Sequence, residues 1–65
     1  MTCVEIYRHN GWSLLSYGLG LAYELRHGAE TAWLQGDDAL AFEASTMRGG
    51  FLVRGCERVF AEYLG

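Results

Sequence analysis

The 65-residue chain has no proline and no lysine. Without proline, its turns depend on nine glycines and on Asn10, residue types that readily adopt positive φ. Five arginines oppose eight acidic residues, which leaves a net charge of -3. This shortage of positive charge argues against direct binding of nucleic acid, which needs a basic face. It permits a basic protein partner, including one that itself holds nucleic acid, although acidity also serves solubility alone.

The sequence also lacks a long apolar run. None approaches the roughly 20 residues that span a bilayer. The first ten residues carry Glu5 and Arg8 in place of the apolar core of a signal peptide. We therefore predict a cytoplasmic protein, with no membrane partner. Cys3 and Cys56 match no metal or redox motif. Free thiols are expected in that compartment, with a disulfide between them as the alternative.

What the chain does contain is apolar material for a single domain over residues 1–65, since 51% of its residues are hydrophobic and 14% aromatic. The side chains of residues 2–8 alternate between two faces with the period of two that predicts a strand. Asn10-Gly11, which follows, is the strongest short hairpin signal. Further strands are predicted over residues 12–17, 21–26 and 31–35. The rival interpretation is one long helix over residues 12–27, which two internal glycines disfavour.

The alternating pattern also predicts the two faces of the sheet. On the inner face of the second hairpin we expect the pairs Leu25–Ala32 and Tyr23–Leu34. On its outer face Glu24 should lie opposite Trp33. In the first hairpin a two-residue turn would pair His9 with Trp12 and Ile6 with Leu15. We expect burial of Val4, Ile6, Leu15 and Tyr17 there. The outer face then carries an apolar patch with both tryptophans, made of Tyr7, His9, Trp12, Leu14, Glu24, Arg26, Thr31 and Trp33. The alternative is a register slip that buries one tryptophan.

Two helices are predicted after the strands. Gly36-Asp37-Asp38 starts the first helix with an aspartate as its N-cap, and this helix continues over Ala39–Met47 as far as Gly49-Gly50. A fifth strand is the competing interpretation of this segment. Phe51–Leu64 is the second helix, because its apolar residues recur at helical spacing. The predicted fold class is α+β, a three- or four-stranded antiparallel meander followed by two helices packed on one face.

No motif in the sequence predicts a catalytic, metal or cofactor site. His9 and His27 fall in turns without a spaced catalytic partner. Asp37 and Asp38 provide too few oxygen ligands for a hard cation. The run Gly18-Leu19-Gly20 lacks the third glycine of a phosphate loop and is followed by no helix. We therefore expect a protein that is not an enzyme and needs no cofactor.

The run Trp33–Ala39, which enters a helix that carries Phe42-Glu43, resembles a strand-to-helix segment of small uncharacterised proteobacterial and phage proteins. In size, acidity and compactness the whole chain resembles the anti-CRISPR proteins, particularly inhibitors of type I systems. The resemblance implies a non-enzymatic inhibitor that binds a nucleic-acid-binding, Cascade-like complex in the cytoplasm of a bacterial host cell. These inhibitors share no common motif, so the resemblance assigns no functional residue.

The residues themselves point to an interaction surface that combines aromatic anchors with acidic side chains. The residues predicted to bind a partner are Glu24, Glu30, Trp33, Asp37, Asp38 and Glu43. The main hypothesis is a monomer that docks on a basic DNA- or RNA-binding complex without touching the nucleic acid. The alternative is a small structural or regulatory protein that dimerises through the open face of its sheet.

Overall fold

The structure, a computed structural model, describes residues 3–64. Its main element is a four-stranded antiparallel sheet in the order β1-β2-β3-β4, with strands at Cys3–His9, Trp12–Tyr17, Ala22–His27 and Glu30–Gln35. After the sheet come α1 (Asp37–Thr46), a small hairpin of β5 (Met47–Arg48) and β6 (Phe51–Leu52), and α2 (Cys56–Leu64). The predicted α+β fold, a meander followed by two helices, is confirmed. The β5–β6 hairpin was not predicted.

The two tight hairpins of the sheet follow from local sequence. Asn10 and Gly11 have φ values of 53° and 81°, and positive φ at both central residues is what a type I′ turn requires. His9 accordingly pairs with Trp12, as predicted. In the second hairpin all three predicted pairs are present, including Glu24 opposite Trp33.

A β-bulge at Ile6 changes the register of β1. The register shifts between Glu5 and Tyr7, so Leu15 lies opposite Glu5 and not opposite Ile6 as predicted. The extra residue also brings Glu5 and Arg8 to the same face, where Nε of Arg8 lies 3.2 Å from Oε1 of Glu5. In a regular strand, residues three apart point to opposite faces, so this ion pair depends on the bulge.

The prediction of which face of the first hairpin is buried was wrong. Leu14 pairs with Leu25 in the neighbouring strand, and directly opposed residues share a face. The face of β3 that packs on the helices therefore determines which face of β2 is buried. Trp12 and Leu14 are buried, and Tyr7 packs against the core. The residues expected inside are not in the core: Val4 and Ile6 are exposed, and Leu15 and Tyr17 lie on the face away from the helices. The alternative prediction, that one tryptophan is buried, is met by Trp12. The cause is the pairing of β2 with β3 and not the slip of register that the alternative assumed.

Helix α1 ends, and helix α2 begins, at a position that differs from the prediction, whereas α2 ends at Leu64 as predicted. Helix α1 covers Asp37–Thr46, which excludes the alternative that this segment forms a strand. Gly36 occupies the N-cap position of α1 without a side-chain hydrogen bond. The predicted aspartate cap was therefore wrong, although two carboxylates in the first turn suit the helix dipole. Helix α2 begins at Cys56, five residues later than predicted, because residues 51–52 pair in β6.

The core is a cluster of aromatic rings between the sheet and the helices. Phe42 of α1 stacks on Phe60 of α2, with ring centroids 5.6 Å apart and planes inclined by 16°. Phe60 also lies 5.5 Å from the rings of both Trp12 and Tyr7. Both phenylalanines have no exposed surface. Sheet and helices are therefore joined by aromatic packing on one face, and the opposite face of the sheet stays outside the core.

Candidate functional site

The face of the sheet that lies away from the helices is the first candidate surface. We call it the open sheet face, and its residues are Glu5, Arg8, Ser13, Leu15, Tyr17, Glu24, Arg26, Thr31 and Trp33. Its large apolar side chains, Leu15, Tyr17 and Trp33, neither belong to the core cluster nor pack against it. Trp33 lies on the edge strand β4 and is 49% exposed. Its ring centroid is 5.0 Å from that of Tyr17, so two aromatic side chains form one contiguous patch.

Hydrogen bonds hold the centre of the open sheet face in one arrangement. The Tyr17 hydroxyl donates to Oε1 of Glu24 at 2.6 Å, and Nη2 of Arg26 donates to the same oxygen at 3.1 Å. These two bonds lower the pKa of Glu24, with the bond from Tyr17 as the larger cause. The bond to Glu24, followed by a contact with Cys3, raises the pKa of Tyr17. The Tyr17 ring against which Trp33 packs is thus fixed by a charged acceptor.

The open sheet face is close to neutral, whereas the chain as a whole is acidic. Glu5 pairs with Arg8, and Glu24 pairs with Arg26. Asp37 and Asp38, by contrast, are exposed and make no ion pair with any residue in the range 3–64. They follow directly after β4, the strand that carries Trp33. Uncompensated negative charge is therefore found at the end of the strand that carries the exposed tryptophan.

The six residues predicted to bind a partner do not form one surface. Glu24 and Trp33 are directly opposed on the open sheet face. Glu30 pairs with His27 at the far end of β4, in the row that contains buried Trp12. Glu43 of α1 is half-buried and accepts a hydrogen bond from the Tyr23 hydroxyl at 2.9 Å. That donor compensates for the partial burial of the Glu43 carboxylate.

A second polar site, which the sequence did not reveal, surrounds Glu57. Its Oε2 accepts a hydrogen bond from the Tyr7 hydroxyl and lies 2.9 Å from Nδ1 of His9. Asn10 donates through Nδ2 to Oε1 at 3.4 Å. Glu57 forms no ion pair with Arg54, since Arg54 precedes α2 and Glu57 turns toward β1. No local pattern signals these contacts, because the partners are 47 to 50 residues apart.

The Glu57 cluster borders an open cleft of about 520 Å³, whose other walls include Leu52, Val53 and Cys56. The hydrogen bond to Glu57, followed by burial, raises the pKa of Tyr7. The bond from Tyr7, followed by that from His9, lowers the pKa of Glu57. Burial raises the pKa of the Cys56 thiol. The raised pKa values of Tyr7 and Cys56 keep both groups protonated at neutral pH. The cluster is best suited to joining β1 to α2.

No protein-family model, curated protein or solved structure matches the chain. Within residues 3–64, no helix has the length and apolar character needed to cross a membrane. The same residues contain no group of three or more His, Cys, Asp or Glu side chains that could hold a metal ion.

Proposed function

We propose that the protein is a non-enzymatic interaction module that binds a partner protein through the open sheet face. The observation that carries this proposal is the pair Trp33 and Tyr17, an exposed tryptophan packed against a tyrosine that Glu24 holds in place. Tryptophan and tyrosine dominate binding energy at protein interfaces. Side chains that are already fixed lose little conformational entropy when they bind. The pair therefore has the properties of a binding anchor.

The charges around this anchor favour a partner with a basic surface. Asp37 and Asp38 have no cationic partner among the described residues and follow the strand of Trp33. Carboxylates at the rim of an interface chiefly accelerate association with a basic partner and make it dependent on salt. Glu24 and Glu43 contribute less, since tyrosines occupy their oxygens. Support thus comes from an acidic rim and not from a long line of carboxylates that imitates phosphates.

In its most concrete form, the partner is a type I CRISPR surveillance complex, and the protein is an inhibitor of the anti-CRISPR kind. A compact acidic chain with an aromatic anchor suits a complex whose nucleic-acid channel is basic. The non-enzymatic part of the proposal is supported by the Glu57 cluster, in which Tyr7, His9 and Asn10 occupy the oxygens of the carboxylate and join β1 to α2.

A second candidate function is self-association through the same face. It is favoured by charge, because the pairs Glu5–Arg8 and Glu24–Arg26 leave the open sheet face nearly neutral. Two copies could meet there without the repulsion that their net charge of -3 causes elsewhere. Such a protein would be a homodimer, which dissociates when Trp33 is replaced by aspartate.

The test is binding of the purified protein to a purified type I surveillance complex, measured by biolayer interferometry at low and high salt. Trp33→Ala should weaken binding by at least about tenfold, since anchor residues contribute most of the affinity. Phe51→Ala is the matched control, because Phe51 is an aromatic residue 78% exposed outside the open sheet face. Asp37→Lys should slow association and flatten the salt dependence.

Two results would overturn the proposal. Absence of binding at low salt would exclude the surveillance complex as the partner. Equal binding by the native protein and by Trp33→Ala would exclude the open sheet face as the binding surface. A homodimer of the free protein that is lost in Trp33→Asp would favour the second candidate function.

A further inference from the structure

The loop between β2 and β3 presents an apolar side chain in an unfavourable backbone conformation. Leu19 is fully exposed and has a φ of 57°, with Gly18 before it and Gly20 after it. The amide of Leu21 donates to the carbonyl of Tyr17 at 3.0 Å and closes the loop. Leucine rarely adopts positive φ, and burial does not compensate for the cost here. A strained, solvated leucine is the kind of outlier that indicates a binding role.

An apolar groove lies directly beside this leucine. It has a volume of about 560 Å³ and is lined by Val4, Ile6, Ser16, Gly18 and Leu19. The bulge in β1 helps to form it, because the register shift places Val4 opposite Ser16. Val4 and Ile6 are 53% and 41% exposed. We call the groove and the Leu19 side chain together the loop patch, and it contains no charged residue.

We propose that the loop patch is a self-association surface on which a second copy of the chain inserts its Leu19 into the groove. A protruding side chain and a groove that adjoin in one surface are self-complementary. A two-fold axis between them lets each copy fill the groove of the other in a single closed contact. The protrusion and the groove of one molecule thus provide both halves of the interface.

Charge also favours a second copy as the occupant. Two chains with a net charge of -3 repel each other over most of their surface. Residues 9–23, which include the loop, are the longest stretch of the sequence without an arginine, aspartate or glutamate. The loop patch is therefore where two copies approach with little repulsion. Its residues are separate from the open sheet face, so a dimer formed there leaves two open sheet faces free for partners.

The size of the loop patch predicts a weak dimer. Stable interfaces use roughly 20–30 residues on each side, whereas the loop patch offers only a few side chains. We expect a dimer with a Kd between about 10 μM and 1 mM, in place of the monomer predicted from the sequence. Sedimentation velocity should therefore cover concentrations from about 10 μM to 1 mM, a range that brackets such a Kd.

Leu19→Asn is the decisive variant, since asparagine tolerates positive φ and removes the apolar side chain. It should weaken dimerisation at least tenfold without lowering the thermal stability. Val4→Asp, which alters the groove, should have the same effect on dimerisation. Leu40→Gln is the matched control, because Leu40 is an exposed leucine on α1, and it should dimerise like the native protein.

The proposal is independent of the proposed function, and separate results would overturn each. A protein that stays monomeric at 1 mM refutes the loop patch as a dimer interface. A dimer that Leu19→Asn leaves intact refutes it as well. A dimer that is lost only in Trp33→Asp also refutes it. The first two results do not bear on whether Trp33 anchors the surveillance complex, whereas a dimer lost only in Trp33→Asp favours the second candidate function.

Discussion

The Tyr7 hydroxyl donates a hydrogen bond to the carboxylate of Glu57, although 50 residues separate the two in the chain. His9 and Asn10 bind the same carboxylate from the end of the first hairpin. Among the side-chain hydrogen bonds of residues 3–64, these three alone connect the sheet to α2. The start of α2 is thus attached to β1 by one acidic group with three donors.

We expect Glu57→Gln to lower the melting temperature at pH 7, because a neutral amide binds three donors less strongly than a carboxylate does. The pKa of Glu57 is lowered in the folded protein. Its contribution to stability is therefore present above the unfolded pKa of about 4.5 and is lost as the pH falls through the folded pKa. The difference between the native protein and Glu57→Gln should shrink with acidification. Circular dichroism melts between pH 7 and pH 3 measure it.

Glu62→Gln is the control for this experiment. Glu62 lies in the same helix, is exposed, and forms no ion pair with the described residues. Its replacement should change the melting temperature little at either end of the pH range. Equal effects of the two substitutions would contradict a specific role for the Glu57 carboxylate.

The parts of the fold that could be predicted are those that local sequence determines. A short turn sets the register of the second hairpin, so the pair Glu24–Trp33 follows from period-2 alternation. The bulge at Ile6 has no such signal, and the face of β2 depends on its pairing with β3. The partners of Glu57 are equally inaccessible, since they require the position of α2 relative to β1. Of the site, the sequence therefore predicted Trp33 and Glu24 together but missed the Tyr17 contact.

The two tryptophans should differ in fluorescence. Trp12 is 8% exposed and stacks on His27 with ring centroids 4.0 Å apart, whereas Trp33 is 49% exposed. In Trp33→Phe, the remaining Trp12 should emit at shorter wavelength and resist quenching by acrylamide, because the core excludes water and quencher. In Trp12→Phe, the remaining Trp33 should emit at longer wavelength and be quenched readily. Similar quenching constants for both variants would contradict the assignment of the two faces.

Phe60 should contribute more to stability than any exposed aromatic residue does. It has no exposed surface and contacts the rings of Phe42, Trp12 and Tyr7. Removal of such a ring leaves a cavity, and Phe60→Ala should cost about 3–5 kcal/mol of unfolding free energy. Phe51→Ala removes a ring that is 78% exposed, so its cost should be below about 0.5 kcal/mol. Urea unfolding followed by circular dichroism compares the two, and similar midpoints would refute this core.

Tyr23 should make the protein sensitive to strong alkali. Burial, followed by the hydrogen bond to Glu43, raises the pKa of Tyr23 to about 12. A raised pKa means that the stabilisation is complete below the unfolded value of 10.0 and is lost as the pH rises toward the folded value. Stability should therefore fall between about pH 10 and 12. Tyr23→Phe should cost about 1–3 kcal/mol at pH 7, since it removes the donor to Glu43. It should also reduce the absorbance change at 295 nm near pH 12, to which Tyr7 and Tyr17 still contribute because their pKa values are raised as well.

The two cysteines should differ in reactivity toward a thiol reagent such as Ellman's reagent. Both thiols are free, but Cys3 is exposed and Cys56 is 3% exposed within the core. Burial also raises the pKa of Cys56, which reduces its thiolate fraction. We expect one thiol per folded chain to react rapidly and the second to react at least roughly 100-fold more slowly, because α2 must first detach from the core. In Cys3→Ser the rapid phase should disappear, and in urea both thiols of the native chain should react together. A rapid phase that persists in Cys3→Ser would mean that Cys56 is accessible, which contradicts its place in the core.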